Sequence, residues 1–97
     1  MSVSIPQYNY TNMAAQASTL LRTGPGVLHA VTFNKPIATS VLTLYDGLTT
    51  GGTKIATITI PASPMTPPFI YDVAFSVGLL AVMGTADMDV TISWVAQ

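Results

Sequence analysis

Ninety-seven residues supply one hydrophobic core and exclude two independently folding domains. Hydrophobic residues make up 49% of the chain and charged ones 7%, against about 25% charged in ordinary soluble domains, and this balance excludes intrinsic disorder. Three cations against four aspartates leave a formal charge of −1, too few cations to displace counterions from nucleic acid.

There is no cysteine and one histidine, so neither a disulfide framework nor a histidine-rich metal site can reinforce the core. Apolar burial alone leaves a slim margin at this size, and a charge-poor surface lacks the self-repulsion that keeps monomers apart. The composition points to life inside an assembly. Met1 to Pro6 has neither a basic region nor an unbroken apolar run, so no secretory signal is expected. No stretch approaches the roughly 20 apolar residues that span a bilayer. The sequon Asn9-Tyr10-Thr11 is read as chance, and synthesis in the cytoplasm is expected.

The elements follow from alternation and turn signals. Residues 1–15 read as an N-terminal arm with an extended stretch at Val3 to Tyr10, and residues 16–97 as one domain. Gln16 to Arg22 is expected as a strand, turning at Thr23-Gly24-Pro25-Gly26 into Val27 to Phe33, so the two are expected to pair as a hairpin. In the second strand Val27, His29, Val31 and Phe33 share a face, and Asn34-Lys35-Pro36 ends it. Ser40 to Asp46 and Thr53 to Ile60 form a second hairpin across Asp46-Gly47 and Gly51-Gly52. Pro61, Pro64, Pro67 and Pro68 mark a stiff loop that crosses an edge or end of the fold.

Phe69, Tyr71, Val73 and Phe75 alternate with Ile70, Asp72 and Ala74, and their aromatic bulk is expected at the centre of the core. Leu79 to Met83 reads as a fully buried strand. The last strand sets Met88, Val90, Ile92 and Trp94 against Asp89, Thr91 and Ser93. About eight short strands of this kind predict an all-β, antiparallel β-sandwich, jelly-roll-like, with an immunoglobulin-like Greek key as the competing strand order.

Candidate chemistry is sparse. His29 is the only side chain that ordinarily titrates near neutrality, but no neighbouring carboxylate in sequence orients it, and a structural or interface role is the plainer reading. Asp87 and Asp89 lie two apart at a turn, yet the loop pattern of a calcium site is missing, and turn chemistry explains them. Asp46 before Gly47 is a turn former, and Asp72 either faces solvent or meets a cation across an interface. The glycines at Gly24-Pro25-Gly26 and Gly51-Gly52-Thr53-Lys54 lack phosphate-loop spacing, and no nucleophile elbow is present. Pro61 to Pro64 and Pro64 to Pro67 satisfy a PxxP spacing without a flanking cation. Arg22, Lys35 and Lys54 sit at strand ends, where they meet acidic partners or keep edges from aggregating. No catalytic residue, metal or cofactor is assigned.

The segments GPGVLHAVTF (Gly24 to Phe33), LTLYDGLTTGGTKIATI (Leu42 to Ile58) and Phe69 to Trp94, a YDVAFSVGLLAV run followed by TADMDVTISW, resemble a group of small structural proteins of tailed bacteriophages. The resemblance spans most of the chain beyond the arm, and its motifs are structural. It implies a sandwich attached to a virion: a decoration, or cement, protein on the outer surface of the head. Its implied partners are the major capsid protein and further copies of itself, with a trimer favoured. No nucleic acid, membrane or small-molecule substrate is expected. The proline-rich loop departs from the pattern, and similar sandwiches occur on tails. A tail, baseplate or fibre-associated module contacting proteins or host glycans is therefore the alternative. The expected contact residues are Ile5, Tyr8 and Tyr10 in the arm and Met65, Pro67 and Pro68 in the rigid loop.

Overall fold

β-Branched and aromatic runs between turn formers produce eight strands and no helix among the residues described by the computed structural model, 8–14, 18–63, 67–84 and 88–97. They are β1 (Asn9–Met13), β2 (Ser18–Thr23), β3 (Gly26–Lys35), β4 (Val41–Asp46), β5 (Thr53–Thr59), β6 (Phe69–Phe75), β7 (Gly78–Met83) and β8 (Asp89–Ala96). Two antiparallel sheets of four strands result, in the orders β1-β8-β3-β6 (sheet A) and β2-β7-β4-β5 (sheet B). They enclose one core, a β-sandwich. Its largest fully buried side chains include Leu28, Val31, Phe75, Val90 and Ile92 from sheet A and Leu42, Leu44, Leu79 and Met83 from sheet B. Each contributes about 1.5–3 kcal/mol relative to exposure.

The pairing corrects several expectations. β2 and β3 do not form a hairpin: β2 pairs with β7 and β3 with β6 and β8. The Gly24-Pro25 turn carries the chain from one sheet to the other, with Gly24 at φ 107° and its amide donating to the Val77 carbonyl at 2.9 Å. Local turn chemistry is the same for a hairpin and a crossing; which one forms is decided by where the flanking side chains find burial. Residues 9–13 of the expected arm form a strand in register with β8, from Asn9 opposite Trp94 to Met13 opposite Val90. The hairpin of β4 and β5 forms as expected, and β7 is buried almost throughout.

Two faces also differ. β3 carries a bulge at His29, where Leu28 pairs with Trp94 and Ala30 with Ser93. The extra residue shifts the alternation, so Leu28, Val31 and Phe33 face the core while His29 and Val27 are half-buried. β6 lies at an edge rather than at the centre. Its Tyr71 and Asp72 together oppose the single residue His29, and Phe69, Tyr71 and Phe75 keep the expected side toward the core. At the edge, however, only Phe75 is fully buried, and Val73, opposite Leu28, is 37% exposed. The β5 to β6 connection runs between an edge of sheet B and an edge of sheet A, with Pro61, Pro67 and Pro68 exposed.

Gly26 marks the closest backbone approach in β3. A Cβ there would lie 2.5 Å from the Val95 carbonyl oxygen and 2.6 Å from Phe75 Cζ. Gly26→Ala is expected to cost on the order of 1–3 kcal/mol by overpacking, read as a lower urea midpoint at unchanged slope. Gly51→Ala, where the new carbon meets only the Thr49 hydroxyl at 3.4 Å, leaves the midpoint in place.

Candidate interaction surface

The register places one side of sheet A outward as a series of cross-strand rows. Tyr10 lies opposite Ser93, Ser93 opposite Ala30, and Ala30 opposite Ile70. Tyr10 is 74% exposed and Ile70 61%, so two large apolar side chains flank a floor of small ones. The next row, Asn12, Thr91 and Thr32, is polar. Of the expected contact residues, Tyr8 and Tyr10 belong to the β1 side of this sheet, and Pro67 and Pro68 lead into β6 at its opposite edge. Ile5 and Met65 lie outside the described residues.

Two polar clusters hold this face. Tyr8 stacks on the His29 ring at a centroid distance of 4.0 Å and 10° between planes. At the edge of the same imidazole, Nδ1 lies 2.6 Å from Asp72 Oδ1. A carboxylate only accepts, so Nδ1 is the donor in this bond. Asp72 reaches this position with φ at 48°, the left-handed region that a bulge residue can use. The expectation that His29 lacks an orienting carboxylate is thus overturned, by a residue 43 positions away. Asp72 correspondingly finds its partner within the chain. The line Tyr8, His29, Asp72 crosses the sheet from the β1 side to β6.

The second cluster surrounds Asp89. Asn12 Nδ2 on β1 and Asn34 Nδ2 on β3 donate to Asp89 Oδ1 at 2.6 and 2.9 Å, and to Thr91 Oγ1 at 3.2 and 2.9 Å. The Asn34 and Asn12 amides hold the carboxyl below the usual aspartate range, with Lys35 adding to the effect. Asp89 is a cross-strand tie, and Asp87 lies outside the described residues. No group of three metal-ligating side chains and no cavity occurs among the described residues, so the candidate site is a surface.

Asp46 has a larger role than its place before Gly47 implies. At the end of β4 its carboxylate accepts the backbone amides of Ser76 (2.9 Å), Val77 (2.8 Å) and Gly78 (3.4 Å), and the Ser76 hydroxyl at 3.3 Å. These amides form the turn from β6 of sheet A to β7 of sheet B, so one side chain binds a crossing between the sheets. Nothing within a few residues of Asp46 signals this, because its partners lie about 30 positions on. Comparison with known proteins gives no match to any family model, curated protein or solved structure.

The Ser76 and Val77 amides, with Gly78 and the Ser76 hydroxyl, outweigh desolvation and lower the Asp46 pKa below its ordinary value of 3.8. A depressed folded pKa means that the unfolded chain binds more protons. The stabilisation is therefore complete above the ordinary value and is lost as pH falls through the folded one. Asp46→Asn should lower stability at neutral pH by on the order of 1–2 kcal/mol. It should also flatten the decline in melting temperature below pH 4 that the parent shows, as followed by circular dichroism.

Proposed function

We propose that this chain is a virion structural protein, a capsid decoration protein that binds the outside of a phage head and bridges subunits of the major capsid protein. The observation that carries the reading is the outer face of sheet A, where exposed Tyr10 and Ile70 stand on either side of Ser93 and Ala30. Apolar side chains around a low floor fit a partner by shape, while Thr32, Thr91 and Ser93 offer hydroxyls for a wet contact. Proline restricts the backbone at Pro67 and Pro68, so contact near β6 costs little ordering entropy.

The strand orders support a jelly-roll reading of the sandwich. Pairs β1/β8, β2/β7, β3/β6 and β4/β5 describe one long hairpin wound alternately through the two sheets. Viral capsid domains are among the proteins that use this winding. The resemblance of the Gly24 to Phe33, Leu42 to Ile58 and Phe69 to Trp94 segments to phage structural proteins points the same way. The reading assigns the chain a homo-oligomeric, non-catalytic role on the head surface.

The test is sedimentation with heads of the phage that encodes it. The protein is expected to travel with mature, expanded heads and to leave unexpanded shells bare. Ile70→Asp, at an exposed position, should weaken head binding by about tenfold or more while melting is unchanged. Protein that ignores its own expanded heads sinks the reading.

A further inference from the structure

A sandwich of two open sheets has four edge strands, here β1 and β6 in sheet A and β2 and β5 in sheet B. Each edge exposes a row of backbone donors and acceptors that another strand can pair with, and bulges and charges are the usual means of preventing it. Three of the four edges have both. On β2, Leu20 pairs with Leu80 and Arg22 with Leu79, leaving Leu21 as a bulge beside Arg22. On β5, Ala56 pairs with Leu44 and Lys54 with Tyr45, leaving Ile55 as a bulge beside Lys54. On β6, Tyr71 and Asp72 form the bulge opposite His29, with Asp72 in left-handed backbone.

β1 has neither. Its register with β8 is unbroken from Asn9 to Met13, and Asn-Tyr-Thr-Asn-Met includes no charge and no proline. Among the described residues, no backbone hydrogen bond outside the β8 pairing reaches β1. From this contrast we infer that β1 is a pairing edge, and that its occupant is β1 of a second copy. The identity of the occupant follows from the other edges. Among the described edge strands of a second molecule of this chain, β2, β5 and β6 are all blocked, so the one left to meet β1 is β1 itself. Such a contact is isologous and closes at two copies.

The sequence of β1 suits a two-fold axis at Thr11. Antiparallel self-pairing there sets Thr11 against Thr11, Tyr10 against Asn12 and Asn9 against Met13. Threonine pairs are favourable across strands, and no like charges are opposed. The pairing would turn two copies of sheet A into one continuous eight-stranded sheet and cover part of Tyr10, the most exposed large apolar side chain on the described surface. This goes beyond attachment to a head and does not depend on it. It gives even-numbered assemblies in place of the trimer that the phage resemblance implies.

The chain has no cysteine, so Thr11→Cys provides a single thiol at the axis. Under mild oxidation it is expected to give a disulfide-linked dimer on a non-reducing gel, about tenfold more than Thr57→Cys on the blocked β5 edge, because only opposed residues fall within disulfide reach. By sedimentation equilibrium the unmodified protein should show twice the chain mass. Asn9→Lys, a change at an exposed position that sets an ammonium against Met13 of the second copy, should return it to the single-chain mass without altering its circular dichroism. A single-chain mass for the unmodified protein at all concentrations overturns the inference, including the case in which β1 takes a foreign strand. So does a trimer without the Thr11 cross-link, or equal cross-linking at positions 11 and 57. A dimer that fails to bind heads leaves this inference standing and removes the decoration reading alone.

Discussion

The pairing of β3 with β8 in one sheet and β4 with β7 in the other is the constraint on which the rest of the fold depends. These four strands occupy the middle of their sheets, so both rows of their backbone groups are satisfied by neighbours and their inner faces can be wholly apolar. Leu28, Val31, Val90 and Ile92 meet Leu42, Leu44, Leu79 and Met83 across the interior. Both pairings join strands far apart in sequence, and the crossings between sheets must then be held in place. Asp46 does this for the β6 to β7 crossing, with three backbone amides converging on one carboxylate. A charge in so apolar a chain is retained where it satisfies several donors that would otherwise be left to solvent.

The same logic locates the remaining charges among the described residues. Arg22, Lys54 and Asp72 lie on three different edge strands, each next to a bulge, and Asp89 with Lys35 lies where β8 meets β3. A chain this poor in charge cannot rely on general electrostatic repulsion to remain soluble, so position matters more than number. The bulge at His29 joins these themes. It moves Leu28 and Val31 both inward, and it brings the imidazole to Asp72 and Tyr8 on the outer face. A single inserted residue therefore shapes both the core and the candidate surface.

Much of the strand pattern was legible because burial writes a period of two into a half-buried strand. Met88, Val90 and Ile92 are fully buried on the alternation read from their spacing, and the run Leu79 to Met83 is a central strand. The pattern misleads where a bulge breaks the period. Val27 and His29 share a face with Val31 and Phe33 by sequence spacing but leave that face in space, whereas Val73 keeps its side, opposite Leu28, and is partly exposed because β6 is an edge strand. The proximity of His29 to Asp72 had no local signal, since sheet register and not sequence spacing makes them neighbours. Tyr8 and Tyr10 are remote in sequence from Pro67 and Pro68, and the two groups share one sheet only because β1 and β6 are its two edges.

By itself the sequence determined an all-β chain: β-branched alternation, turn residues at short intervals and the near-absence of charge leave no helix pattern and one apolar interior. It also determined where strands stop, because proline and glycine act through their own backbone geometry. Only the tertiary structure decided which strands pair. A Gly-Pro turn can close a hairpin or carry the chain across a sandwich, and its local energy is much the same in both. The choice at Gly24-Pro25 is made by the burial of Leu28 against the opposite sheet and by the hydrogen bond that the Gly24 amide donates to the Val77 carbonyl. With that choice come the positions of the charges, three of them at bulged edges, and β1 as the edge that has none.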